Sequence, residues 1–309
     1  MFKYILKRVL IGILTIFVIA SITFFLCRAI PGGPFDRDKP LNETTIANLN
    51  AKYHLDDPVW KQYLRYMWDV ARFDFGPSYY YKNETVNDYI NRCFPVSAVL
   101  GFTAIIVALL IGVPAGILSA LRQNKIEDNV IKVITTILVS LPNFVVASGL
   151  MYTLAYKLGL LPPALWGTPA QAVMPVLALA AYPLSYFTKM MKTSMLEVMD
   201  SDYVRTAKAK GCGHFLMTYK HALKNALLPI VTSLGPMFAG TMTGSFVVEK
   251  IFCIPGLGEQ FTKSIFNRDY PMIMGLTIFY SILLIVFVLI ADIANAVIDP
   301  RIKLEGEES

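Results

Sequence analysis

Long apolar runs separated by shorter polar intervals set the pattern of this chain. Val9 to about Cys27 is almost uninterrupted apolar sequence, after a basic start containing Lys3, Lys7 and Arg8. As a helix, such a run crosses the roughly 30 Å of hydrocarbon in a bilayer. A signal peptide shares the pattern. Here the run ends in CRAIPGGP, with no small-x-small cleavage site, which predicts an uncleaved first transmembrane helix with its amino terminus inside. Five further apolar stretches follow, at 96–118, 130–156, 172–187, 227–248 and 273–297. The expected fold is an all-α integral membrane protein with six transmembrane helices and both termini on one side.

Between the first and second runs, residues 30–94 read differently. Acids and bases roughly balance, and Trp60, Trp68 and many tyrosines are present. TTIANLNAKYHL and VWKQYLRYMWDVA have helical spacing, and FDFGPSYYY reads as a turn. This predicts a small extracytoplasmic helical insertion on the outer membrane surface. Its tyrosines could line a path for substrate, although anchoring at the interface is the commoner role of such rings.

The loops assign the sides. Residues 189–225 hold Lys189, Lys192, Arg205, Lys208, Lys210, Lys220 and Lys224 against Glu197, Asp200 and Asp202. Loop 157–171 has one base, and 249–271 is balanced. An excess of Lys and Arg marks cytoplasmic loops, so 189–226 and the tail 299–309 are expected in the cytoplasm.

Composition supports this and narrows the chemistry. Of 309 residues, 55% are hydrophobic and 16% charged, where a soluble domain carries about a quarter charged. The net charge of +6 therefore reports cytoplasmic loops and membrane lipid rather than nucleic acid. Cys27, Cys93, Cys212 and Cys253 form no C-x-x-C pair, and His54, His214 and His221 no H-E-x-x-H. No metal, cofactor or enzymatic site is expected. Asp292 is the one clear charge in a span, expected near the cytoplasmic end within reach of water or a basic neighbour. An ion-coupled transporter carries several such groups and an inverted repeat. There is also no G-x-x-x-x-G-K-[ST] loop to cradle the phosphates of ATP. If solute moves uphill, the energy must come from a partner.

The segment suited to receive it is Asp200–Pro229, too long for a simple turn. Tyr203–Lys210 reads as a short helix with small residues and bases, broken at Gly211 and Gly213. Phe215–Asn225 reads as a second helix leading to Pro229 and the fifth span. Within the spans, Pro142, Pro175, Pro183, Gly235, Pro236 and the pair Gly240 and Gly244 suit a bundle that rearranges, though such residues are ordinary in membrane helices. Phe252, Ile254 and Leu257 in FCIPGLG, turned at Pro255 and Gly256, either pack on helix ends or dip into the bundle as a gate.

DYVRTAKAKG (Asp202–Gly211) followed by HALKNALLP (His221–Pro229) resembles the cytoplasmic "EAA" loop of ABC importer permeases, in the dipeptide/oligopeptide/nickel branch. Aligned on Gly211, Arg205-Thr206-Ala207 stands where the general motif has Glu-Ala-Ala. RAIPGGPF, AKYHLDDP, DFGPS, GSFVVEKIFCIPGLGEQF, NRDYPMIMGLTI and AVIDPRIK are similar to the B-type subunit of oligopeptide permeases. The resemblance implies a type I importer fold in the bacterial inner membrane. It implies a heterodimer with a C-type permease, two ATP-binding subunits that hold ATP and Mg2+, and an extracytoplasmic peptide-binding protein. It places an ATPase-coupling helix at Asp202, Tyr203, Arg205, Thr206, Ala207, Lys208, Ala209 and Gly211, with transmission through His221, Asn225 and Pro229. Gly235, Pro236, Gly240, Gly244, Phe252, Pro255 and Gly256 are the candidates for the translocation path and gate. Permeation of dipeptides, nickel or another small solute, and a self-sufficient secondary transporter, are the alternatives.

Overall fold

The computed structural model describes residues 2–35, 42–209, 213 and 222–298. Helix α1 (Phe2–Ala29) is followed by α2 (Glu43–Lys52) and α3 (Val59–Ala71), which build the insertion. The core comprises α4 (Val86–Leu121), α5 (Ile126–Ser140), α6 (Asn143–Leu150, continued as a π-helix over Met151–Lys157) and α7 (Pro169–Met199). Then come α8 (Asp202–Ala209), α9 (Leu223–Ala226), α10 (Leu228–Met242), α11 (Phe246–Ile251), α12 (Leu257–Phe266) and α13 (Tyr270–Ile298).

The two longest core helices begin at defined caps. Thr85 and Asp88 form a reciprocal capping box at the start of α4, and Thr168 and Gln171 do so for α7, where Pro169 opens the first turn. These helices pack against each other through glycines. A Cβ at Gly116 would lie 2.6 Å from the Met191 Cβ and the Thr188 carbonyl, and one at Gly112 2.9 Å from the Leu184 carbonyl. In lipid there is no hydrophobic drive between helices, so such close backbone approach supplies the packing. The main core, including Leu100, Ala104, Met174, Phe187, Met191 and Ile230, lies along this seam.

Four described helices are long and apolar enough to cross a membrane: Ile5–Ala29 of α1, α4, α7 and Tyr270–Asn295 of α13. A fifth crossing is counted if α5 and α6, bent by 106°, form one span. The bend falls at Leu141–Pro142. Proline drives its predecessor to extended geometry, and Leu141 has φ −86° and ψ 128°. The stretch 227–248, expected as one span, contains the 15-residue α10 and the start of α11. Gly244, at φ +87°, turns the chain between them.

The start of α1 and the end of α13 share one end of the bundle, where Arg8 Nε lies 3.3 Å from Asp292 Oδ2. At the other end, α3 packs on α1, with Tyr63 and Ser21 hydroxyls 2.7 Å apart. The insertion is also tied to the core. Ser78 Oγ donates to Asp269 Oδ2 (2.5 Å) and the Tyr79 N–H to Asp269 Oδ1 (3.0 Å). Phe75 and Val86 close over Gly275, where a Cβ would meet each at 2.8 Å.

Candidate functional site

Two cavities run end to end along α10. The larger, about 830 Å³, is lined by Tyr186 and Met190 of α7 and by Leu228, Pro229, Thr232, Ser233, Pro236 and Met237. The smaller, about 340 Å³, continues from Pro236 and Met237 past Gly240, Thr241, Gly244 and Ser245, facing Asn143, Leu179, Tyr182 and Pro183. The lining offers hydroxyls, one carboxamide, aromatic faces and apolar surface, and no charged side chain among the described residues. Pro236 has no N–H, so the Thr232 carbonyl one turn earlier lacks its helical partner on the groove side. Asn295 of α13 donates to Thr232 Oγ1 (2.9 Å), bracing this part of α10 from behind. Of the path candidates, Pro236, Gly240 and Gly244 line the groove. Gly235 is on the other face, where a Cβ would meet the Phe287 carbonyl of α13 at 2.7 Å.

The end of the groove nearest α11 is built around Glu249, which is fully buried. Ser97 Oγ donates to its Oε1 (2.8 Å), and the Glu259 N–H to its Oε2 (3.0 Å). The Gly258 N–H donates to the same carboxylate. Ser97 in turn accepts from the Leu257 N–H (2.9 Å). Three glycines make room: a Cβ at Gly244 would lie 2.3 Å from Oε1, at Gly256 2.4 Å from the carboxyl carbon, and at Gly258 3.1 Å from Oε2. Burial pushes the Glu249 carboxyl above its ordinary value, and the three donors only partly offset that. The cradle folds the FCIPGLG loop inward. Phe252, Ile254 and Leu257 are buried, Pro255 is exposed, and the Phe252 carbonyl accepts from the Leu165 N–H (2.8 Å). The sequence reading missed Glu249. Its signal was an acid directly after an apolar run, with glycines at 244, 256 and 258.

At the other end, α7 runs through Asp200 into α8. Val204 is buried, while Tyr203 is 45% exposed. Asn225 Nδ2 donates to the Tyr203 hydroxyl (2.8 Å), so a residue expected to contact a partner is bonded directly to one expected to transmit movement. Thr206 is exposed and returns its hydroxyl to the Asp202 carbonyl (2.9 Å). Arg205, Ala207, Lys208 and Ala209 belong to the α8 backbone; Gly211 and His221 lie outside the described residues. Ala222 and Ala226 are buried in the core beside α7, and Pro229 opens α10 into the larger cavity.

A second cluster unites the helix ends on this side. Asp128 of α5, fully buried, accepts from Lys192 Nζ of α7 (2.5 Å), Ser119 of α4 (2.5 Å) and the Asn124 N–H (2.9 Å). Lys132 Nζ adds a contact at 3.0 Å.

Residues 112–304 match the family described as binding-protein-dependent transport system inner membrane component, and residues 1–101 match its N-terminal companion. The chain belongs to this family of ABC importer permeases. The permease is 46% identical over 304 residues to the dipeptide transport system permease protein DppB of Bacillus subtilis (strain 168), covering 98% of this chain and 99% of that protein. It is 42% identical over 305 residues to the oligopeptide transport system permease proteins OppB of Haemophilus influenzae and of Salmonella typhimurium, covering 98% of this chain and 100% of each. Two solved structures share the fold at 18% identity. One is an amino acid ABC transporter with histidines (TM-score 0.54, 67% of this chain and 92% of that one). The other is the inward-facing MetNI methionine ABC transporter (TM-score 0.52, 68% and 94%). The permease is thus a multi-pass inner-membrane subunit of an ABC importer, and ATP hydrolysis in this family is the work of separate ATPase subunits. Its family works with another permease, ATPases and a substrate-binding protein.

Proposed function

We propose that this permease forms half of the translocation path of a short-peptide importer, oligopeptides foremost, and is driven through α8. The observation carrying the proposal is the continuous connection from coupling element to groove. Tyr203 of α8 bonds Asn225, and three residues after α9 Pro229 begins the wall formed by Thr232, Ser233 and Pro236. A groove without charge suits a solute bearing both a positive and a negative terminus, because neither is held tightly. Its hydroxyls and the Asn143 carboxamide can exchange hydrogen bonds with peptide amides. The names of the DppB and OppB relatives support peptide as the solute.

In this reading the six crossings lie within 1–29 and at 96–118, 130–156, 172–187, 227–248 and 273–297, with both termini and the 189–226 loop cytoplasmic. Residues 30–94 and 249–271 face outward. A C-type permease completes the path, two ATP-binding subunits supply ATP and Mg2+, and a peptide-binding protein delivers substrate. Closure of the ATPases displaces α8 and, through Asn225, tilts α10 against α7.

The test is disulfide or bifunctional crosslinking from Lys208→Cys in the assembled transporter, with uptake of labelled peptide measured in parallel. A crosslink to an ATPase subunit is expected. Ala207→Glu is expected to insert normally, retain assembly and lose peptide uptake, since charge and bulk wedge the contact. Normal uptake by that variant, or no crosslink from any position of α8, overturns the coupling role.

A further inference from the structure

Helix α3 presents an apolar face left largely exposed by the described residues. Trp60, Leu64 and Trp68, spaced four apart on one side, are 66%, 58% and 59% exposed. A neighbouring side carries Tyr63 and Tyr66, which pack on α1: Phe25 stacks on Tyr63 and Phe24 on Tyr66, each at 5.4 Å between ring centroids. The remaining side is polar, with Lys61, Arg65 and Asp69. Lys61 and Arg65 both reach Asp57, at 3.2 and 2.7 Å. A helix divided in this way meets three surroundings at once.

The contacts with α1 fix its depth. The apolar stretch of α1 runs from Val9 to Cys27, bracketed by Arg8 and Arg28. At 1.5 Å per residue it spans roughly 30 Å, the thickness of the hydrocarbon. Arg28 therefore marks the outer boundary, and its guanidinium bonds Gln62 of α3 and lies 5.3 Å from the Phe24 ring. Ser21, bonded to Tyr63, is about two turns deeper. So α3 lies at the boundary, with the Tyr63 side chain reaching below it. Beside it, Ile22, Phe25 and Leu26 of α1 are 51–61% exposed, and the Trp60–Leu64–Trp68 face continues their apolar surface. Arg72 lies 4.3 Å over the Trp68 ring, at the edge of the polar side.

We propose that α3 is an in-plane membrane anchor whose Trp60, Leu64 and Trp68 insert among the phospholipids of the outer leaflet, with Lys61, Arg65 and Asp69 at headgroup level. Indole rings favour this zone because one edge is apolar and the other donates a hydrogen bond. An amphipathic helix of this kind inserts some 5–10 Å into the headgroup–acyl boundary. The anchor fixes the level of the insertion against the bilayer while the core rearranges. It rests on α1 crossing the membrane and not on which solute is carried.

Nitroxide labels test it in the assembled transporter, in bilayers of phosphatidylethanolamine and phosphatidylglycerol. Single cysteines are placed at 60, 64 and 68 and, for comparison, at 61 and 65, in a cysteine-free background. The readout is relaxation by dissolved oxygen against relaxation by a water-soluble nickel chelate. Labels at 60, 64 and 68 are expected to favour oxygen, and those at 61 and 65 the chelate, so the ratio reverses between the two sets. Equal access of the chelate to all positions means a water-facing surface and overturns the anchor. Exclusion of both reagents at 60, 64 and 68 means that a protein covers the face, which also overturns it.

Discussion

The deeply buried carboxylates at the two ends of the bundle differ in whether a cation reaches them. At the end that carries the FCIPGLG loop, Glu249 and Asp269 are buried and accept bonds from neutral donors: serine hydroxyls and backbone N–H groups. At the end that carries α8, Asp128 and Asp292 meet cations, Lys192 with Lys132 and Arg8 respectively. Neutral donors with fixed backbone geometry define one arrangement and tolerate little change. Ion pairs on long side chains can stretch, swing and re-form. The FCIPGLG loop is therefore held as a shape, while the helix ends near α8 are held as a linkage.

The largest expected effect lies in the Glu249 cradle. Glu249→Ala leaves the Ser97 hydroxyl and the Glu259 and Gly258 N–H groups without acceptors, at on the order of 1–3 kcal/mol each. Loss of the folded FCIPGLG loop is expected, read as rapid proteolysis between 244 and 260 in detergent. Glu249→Gln keeps the shape and should lose less, because only one donor then faces an amide N–H. Proteolysis equal to that of the unchanged protein in Glu249→Ala would remove the distinction between the two ends.

Asp128→Asn comes next. It leaves Lys192, whose side chain is only 17% exposed, without its anion, at about 2–3 kcal/mol after allowance for the partly hydrated lysines. Thermal inactivation should occur at lower temperature, and Lys192→Met added to it should recover part of the loss. No recovery would argue that Asp128 acts through Ser119 and the Asn124 N–H instead.

Smaller still is Tyr203→Phe, which removes one exposed hydrogen bond worth roughly 0.5–1 kcal/mol. Folding should be unaffected, while the peptide taken up per ATP hydrolysed should fall. An unchanged ratio would mean that Asn225 follows α8 through packing alone.

The pH dependence sharpens the comparison. Burial raises the Glu249 carboxyl, so the folded loop binds a proton more readily than the unfolded chain. Its contribution is complete below the ordinary carboxylate range and is lost as pH rises through the raised folded value. Hydrogen-exchange protection of the backbone around 256–259, corrected for intrinsic rate, should fall with rising pH over that window. It should be flat in Glu249→Gln.

Much of the architecture was legible in the sequence because lipid imposes it. Apolar length, positive loops and the helical spacing of VWKQYLRYMWDVA are local signals, and α1, α4, α7, α13 and α3 follow them. Gly112 and Gly116, four apart, are likewise a local signal, and they lie where α4 meets α7. The breaks were harder. Pro142 was visible, but whether a proline kinks a span or bends it by 106° depends on what α7 offers to pack against. Among the path candidates, period alone could not separate Gly235, pressed on α13, from Gly240, open to the groove. Glu249 was hidden because its partners are Ser97 and backbone amides, and neither makes a motif. Asp128 was hidden because its partner lies 64 positions away.

The bond from Ser78 and Tyr79 to Asp269 bears on how such permeases can be divided. The segment matched by the N-terminal family ends before the one matched by the core family begins, and the two could pass for interchangeable modules. The structure makes them a lock and its key. Asp269 and Gly275 belong to the core segment but make sense only with Ser78, Phe75 and Val86 in place. A core cut free of its insertion would carry an uncovered carboxylate and a notch in its last helix. A graft onto a foreign core would need an acid and a glycine six residues apart at that helix's start. In this chain the two halves fit as a matched pair.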